Sequence, residues 1–176
     1  EEERNQVLVE FNQTRIDYPA DHSVHQLFEA QAARTPYAVA QVFGDQHLTY
    51  KELNCRANQL AHHLRSLGVG PDVLVGICLE RSPEMVVGLL GVLKAGGAYV
   101  PLDPVYPAKR LALMLEDAAA PVLLSQAHVA ADLPDNKAHA VCLDTDWEMI
   151  AAESTENPAV QMNAESLAYV IFTSGS

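Results

Sequence analysis

Val73-Leu74-Val75-Gly76-Ile77-Cys78-Leu79, the turn Glu80-Arg81-Ser82-Pro83, the run from Glu84 to Lys94, then Gly96-Gly97 and Ala98-Tyr99-Val100-Pro101-Leu102 together decide the fold class. The first seven residues are a short continuous apolar run, the pattern of a strand buried on both faces. Ser82 is placed to cap a helix, and Pro83 falls at the first helical position, where a missing N–H costs nothing. The helix that follows is apolar nearly all round (Met85, Val86, Val87, Leu89, Leu90, Val92, Leu93), so it is expected to be largely buried. Lys94 near its end suits the helix dipole, and Gly96-Gly97 stops it. Ala98 to Leu102 is a second strand. Strand, buried helix and strand in that order make a βαβ unit.

Upstream, Ser23 with Gln26 forms a capping box for a helix that carries Val24, Leu27, Phe28 and Gln31 and stops before Thr35-Pro36. Val39–Phe43 and His47–Thr49 read as two strands joined at Gly44-Asp45. Thr49 and Glu52 form another capping box, after which Leu53, Ala57, Leu60, Ala61, Leu64 and Leu67 recur at helical spacing until Gly68. Downstream, Pro107 opens a helix to about Ala119, and Pro121–Ser125 is an apolar strand. Residues 126–137 read as a loop, Ala140–Leu143 as a strand, Trp147–Ala151 as a short helix and 153–163 as a polar loop. Leu167–Thr173 reads as a last, buried strand running into Ser174-Gly175-Ser176. The class is therefore α/β: alternating βαβ units whose mostly parallel sheet is covered by helices. Residues 1–22 are polar and aperiodic, and read as a linker with Val7, Leu8, Val9 and Phe11 as a sticky segment.

Hydrophobic residues make up 49% of the 176, enough for a real core. The formal charge of −12 argues against nucleic acid or anionic lipid as the main partner, since both need clustered Lys and Arg. Cys55, Cys78 and Cys142 are far apart and odd in number, as in a reduced, cytoplasmic protein. No apolar stretch approaches a membrane span, and Glu1-Glu2-Glu3-Arg4 does not open a signal peptide.

Chemistry is confined to few places. His22 and His25 lack a third ligand and read as a solvated helix start. His62 and His63 point roughly 100° apart, cannot share a metal, and read as surface residues. Asp144 and Asp146 read as a solvated loop. Thr173-Ser174-Gly175-Ser176 places hydroxyls and backbone N–H groups at the carboxyl end of a strand, where open α/β sheets bind ligands and where a glycine lets the backbone close on a phosphate. It is not a Walker loop.

These motifs, in this order, resemble the adenylation domains of nonribosomal peptide synthetases. Leu48-Thr49-Tyr50-Lys51-Glu52-Leu53 resembles their first core motif. Leu93 to Asp103, continued by Pro104-Val105-Tyr106-Pro107, resembles the second, and Tyr169 to Ser176 the opening of the third. Phe11-Asn12-Gln13-Thr14, Tyr18-Pro19, His25 and Leu27-Phe28-Glu29 resemble the junction between a condensation and an adenylation domain.

The resemblance implies the first part of the large N-terminal subdomain of an adenylate-forming enzyme, with a junction over residues 1–22 and adenylation-domain sequence over 23–176. It implies activation of an amino acid by ATP with Mg2+ to an aminoacyl-AMP, then transfer to the phosphopantetheine thiol of a carrier protein, alongside condensation domains. By the same resemblance Thr173, Ser174, Gly175 and Ser176 hold the ATP phosphates. The first two motifs look structural. The third motif would continue past Ser176 with further glycines and a lysine, so the chain alone is expected to be inactive. A fragment of an acyl-CoA or aryl-acid ligase, or a non-catalytic docking module, is the alternative.

Overall fold

A computed structural model describes residues 2–15, 22–160 and 165–173. The elements in chain order are α1 (Glu2–Leu8), α2 (Val24–Arg34), β1 (Val39–Phe43), β2 (Gln46–Thr49) and α3 (Tyr50–Ser66). There follow β3 (Leu74–Ile77), α4 (Pro83–Ala95), β4 (Ala98–Pro101) and α5 (Ala108–Ala118). The last are β5 (Val122–Ser125), α6 (Ala127–Asp132), β6 (His139–Cys142) and α7 (Trp147–Ile150).

The capping boxes form as the sequence predicts. Ser23 N–H donates to Gln26 Oε1 at 2.9 Å, and Thr49 N–H donates to Glu52 Oε2 at 2.8 Å while Glu52 N–H donates back to Thr49 Oγ1 at 3.2 Å. The Thr49 N–H, and after it the Thr49 hydroxyl, donate to the Glu52 carboxyl and hold it below its ordinary pKa. Pro83 sits at the start of α4, and Gly96 ends it in the left-handed region at φ 94°, a conformation costly for a side chain.

The strands β3, β4, β5 and β6 form one sheet in the order β4-β3-β5-β6, every pair parallel. Alternation along the strands divides the core in two. Val75, Ile77, Val122 and Leu124 face α3 and α4, where they meet Leu60, Leu64 and Val87. Val100, Leu102 and Leu123 face the other side, against Leu111, Met114 and Leu115 of α5 and Val129 of α6. β1 and β2 form a separate antiparallel hairpin.

Three expectations change. Residues 126–137 contain α6 and are not all loop, because Ala127 N–H finds a cap at 3.0 Å in Asp144 Oδ1, seventeen residues away. Within the stretch read as aperiodic, residues 2–12 form α1 and a 3-10 turn over Glu10–Asn12, with Val7, Leu8 and Phe11 exposed. His25 and His63 are not surface groups: they are 7% and 6% exposed.

His25 has a measurable consequence. Its ring lies 3.2 Å from Ser23 Oγ, with Glu29 and Lys94 as the charged neighbours. Burial first, then Lys94, push its pKa below 6.5, against an opposing pull from Glu29. As pH falls the unfolded chain takes up this proton before the folded one, so the stability present above pH 6.5 is lost below it. His25→Leu is expected to make the urea midpoint fall less steeply between about pH 7 and about pH 5 than in the parent chain. An unchanged slope would show that His25 does not contribute.

Candidate functional site

The order of the sheet reverses at β3: the chain goes to β4 on one side and then to β5 on the other. Crevices outside the carboxyl ends of strands at such a point are where open α/β sheets take ligands. Here the carboxyl ends of β3 and β4 open on a cavity of about 940 Å³. Leu79, Met85, Tyr99, Leu102 and Phe172 supply apolar walls, and Glu80, Arg81, Asp103 and His128 supply polar edges. Several of these edges already have partners. Asp103 Oδ1 accepts from Val105 N–H at 3.0 Å, and Glu80 lies 3.4 Å from His128. The Arg110 guanidinium stands 4.0 Å from the Tyr106 ring centre, a cation–π contact at the mouth.

The segment 165–173 runs along the free edge of β4 beside this cavity. Tyr99 N–H donates to Ala168 O at 3.1 Å, and Val170 N–H donates to Tyr99 O at 3.0 Å. The Tyr99 and Tyr169 rings stack with centres 5.6 Å apart. Burial and then Tyr169 raise the Tyr99 pKa. This corrects the expectation of a buried strand: there is a single parallel bridge, and Tyr169 and Ile171 are 53% and 57% exposed. An edge segment has only one neighbouring strand, and no described layer covers its outward side chains. Ile171 and Phe172 line the cavity, and Thr173 follows them, exposed. Ser174, Gly175 and Ser176 lie outside the described residues.

A polar cluster that the sequence did not announce lies behind the sheet. Lys94, read as a dipole partner, is 1% exposed; its Nζ pairs with Glu29 and donates to Asn157 Oδ1 at 3.2 Å. Desolvation lowers its pKa, while Glu29 works against that. Asn54 and Asn58 of α3 also donate to Asn157 Oδ1, at 3.1 and 3.0 Å. A lysine inside an otherwise apolar helix was the available signal, since such a group must find a counter-charge. Asp144 and Asp146 are backbone acceptors, the latter for Cys142 N–H at 2.8 Å, and among the described residues no three His, Cys, Asp or Glu converge as a metal site. Among the same residues no helix is long and apolar enough to cross a membrane.

The model of the AMP-binding enzyme family matches residues 28–176. Subunits C and D of linear gramicidin synthase from Brevibacillus parabrevis are 55% and 50% identical to the chain over 176 residues. These matches take in all of the chain but only 2% and 4% of those proteins. The crystal structure of the nonribosomal peptide synthetase FmoA3 in its AMPPNP-bound form superposes with a TM-score of 0.84 at 38% identity, over 94% of this chain and 18% of that one. NpsA-ThdA, an artificially fused adenylation-PCP di-domain from Klebsiella oxytoca, superposes with a TM-score of 0.79 at 25% identity, over 88% of this chain and 29% of that one. A parallel sheet with its crevice at β3, and a family match that runs through both the crevice walls and the edge segment, lead to one conclusion: the chain belongs to the AMP-binding enzyme family.

Proposed function

We propose that the chain is part of an adenylation domain that activates an amino acid for nonribosomal peptide synthesis. The observation that carries this reading is the delivery of Tyr169–Thr173 along β4 to the carboxyl-end crevice. The sequence continues with Ser174-Gly175-Ser176, rich in hydroxyl and N–H donors. Such donors suit phosphate oxygens and are acceptable only where water or anions can reach them, as at exposed Thr173. The AMPPNP-bound FmoA3 structure supports ATP as the nucleotide. Mg2+ is read as part of the Mg-ATP substrate, held largely by phosphate and water oxygens.

In this reaction an amino-acid carboxylate oxygen bonds to the α-phosphorus and the bond to the β-phosphate oxygen breaks, releasing pyrophosphate. The thiol sulfur of a carrier arm then attacks the acyl carbon and AMP leaves. Thr173 to Ser176 hold the phosphates as charge builds on them, the contribution expected of preorganised donors. Carrier-protein and condensation domains are the proposed partners, the first supported by the adenylation-PCP fusion. Residues 1–22 are proposed to join this domain to a condensation domain.

Exchange of labelled pyrophosphate into ATP tests the reading. The full-length protein is expected to exchange with one or a few amino acids, and Ser174→Ala to lower kcat/KM for ATP by roughly tenfold to a hundredfold. The 176-residue chain covers 18% of FmoA3 and is expected to give no exchange alone. Exchange by the full-length protein with aryl or fatty acids only would overturn the amino-acid reading.

A further inference from the structure

Side chains of the edge segment 165–173 alternate between two faces. Leu167, Tyr169 and Ile171 turn outward and are exposed. Val170 and Phe172 are half-buried and pack on the second core, that of Val100, Leu102, Leu111, Met114 and Leu123. The upstream half is held several times over. Leu167 N–H donates to Asp72 Oδ1 at 3.3 Å, Tyr99 N–H donates to Ala168 O at 3.1 Å, and the Tyr169 ring stacks on Tyr99. Glu165 and Ser166 have partners as well.

The downstream half loses its backbone ladder, and one residue of β4 is the cause. Along β4 successive residues face opposite neighbours. The N–H groups of Ala98 and Leu102 donate to Val73 O and Ile77 O, at the two ends of β3, whereas Tyr99 turns both its N–H and its C=O to the edge segment. A parallel ladder continues through every second residue, so the next residue of β4 to face the segment is Pro101. Proline has no N–H, and Pro101 cannot donate to Val170 O as Tyr99 donates to Ala168 O. The bond from Val170 N–H to Tyr99 O, at 3.0 Å, is the last between the segment and β4 among the described residues. Beyond it the Phe172 ring, set on the second core and in the cavity wall, is the attachment next to Thr173.

We infer that Phe172 is a positioning residue: its ring, held by the second core, takes the place of the rung that Pro101 cannot supply and fixes where Thr173 stands at the crevice. The anchor itself concerns this chain alone. Its consequence for nucleotide binding rests on the adenylation reading above.

Hydrogen exchange of the Val170 amide, in the full-length protein without nucleotide, reads the anchor. Phe172→Ala is expected to speed it about tenfold, the worth of a half-buried aromatic ring, while amides in β3 and β5 keep their protection. Phe172→Tyr is expected to restore the parent rate, since the ring is kept and the adjoining cavity has room for a hydroxyl. Should Phe172→Ala not fold, Phe172→Leu keeps part of the apolar contact and is expected to give the same selective effect, smaller in size. Pro101→Ala returns an N–H to that position, so in its background Phe172→Ala is expected to speed the Val170 amide less. In pyrophosphate exchange, Phe172→Ala is expected to raise KM for ATP about tenfold and to leave KM for the amino acid within about twofold. A mere loss of folded molecules would lower kcat and leave both KM values alone. Phe172→Tyr is expected to bring KM for ATP back. Unchanged Val170 exchange in the Ala variant, equal acceleration throughout the sheet, no rescue by Tyr, an effect of equal size with and without Pro101, or an unmoved KM for ATP in an active parent would each overturn the inference. A full-length parent that shows no pyrophosphate exchange but passes the amide tests would overturn the adenylation reading and leave the anchor intact.

Discussion

Lys94→Met is expected to lower the free energy of unfolding by about 3 kcal/mol, measured by urea denaturation at neutral pH. The Lys94 side chain is fully buried and its ammonium serves Glu29 on α2 and Asn157 on the strap beyond α7. Methionine fills much of the same volume, so a cavity is not the main cost. The cost comes from stranding the Glu29 carboxylate without its cation, since the Asn157 oxygen keeps its donors Asn54 and Asn58. Breaking a buried pair by removing one partner typically costs 3–5 kcal/mol, and the lower end applies because the Glu29 side chain keeps 21% of its surface in water. The double variant Lys94→Met with Glu29→Leu is expected to recover a large part of that loss, since it removes the orphaned charge. A single Met variant as stable as the parent would show that the pair contributes nothing net.

Leu60→Ala is the second large effect, about 3 kcal/mol by the same measurement. Leu60 is wholly buried in α3, and α4 approaches it so closely that a Cβ at Gly91 would stand 2.7 Å from Leu60 Cδ2 and 3.1 Å from its Cβ. The leucine occupies the space that Gly91 leaves, so truncating it opens a cavity between two rigid helices that cannot easily close. Gly91→Ala alone is expected to destabilise by about 1–3 kcal/mol through overlap, offset by about 1 kcal/mol of helix propensity. Together the two substitutions are expected to cost less than the sum of their separate effects, because the new methyl enters the vacated volume. Strict additivity would mean that the helices move apart and do not share that contact.

The elements read correctly from sequence are those whose determinants are local. α4 carries its own start in Pro83, although the Ser82 hydroxyl expected to cap it makes no capping bond, and its own stop in Gly96; α2 and α3 carry their capping boxes. α6 does not: its cap comes from Asp144, on the far side of β6, and six residues of Ala, His, Val and Asp without it resemble a loop. His25 and His63 were misplaced for a related reason. Helical spacing says which residues share a face but not how wide a neighbouring helix will cover it. Alternation in Leu167–Thr173 does mark an extended segment, but its burial depends on what lies across each face: Val170 and Phe172 meet the second core, while Leu167, Tyr169 and Ile171 face outward and are exposed.

The residue types of Thr173 to Ser176 by themselves only suggested phosphate contacts, and it was the order of the upstream motifs that carried the family. The crevice that Thr173 stands beside was not legible, because a cavity is a relation between β3, β4, α4 and α5 that no single stretch encodes. By itself, then, the sequence determined the alternation of strands and helices, the helix ends, the buried character of α4 and the family, all set by short-range sterics, capping and hydrophobic period. Only the tertiary structure decided the strand order β4-β3-β5-β6, the burial of Lys94 against Glu29, and the hold of α3 on Asn157. The last two depend on polar groups from 63 to 103 residues apart meeting across the fold, where each must find a partner, and no local pattern names it.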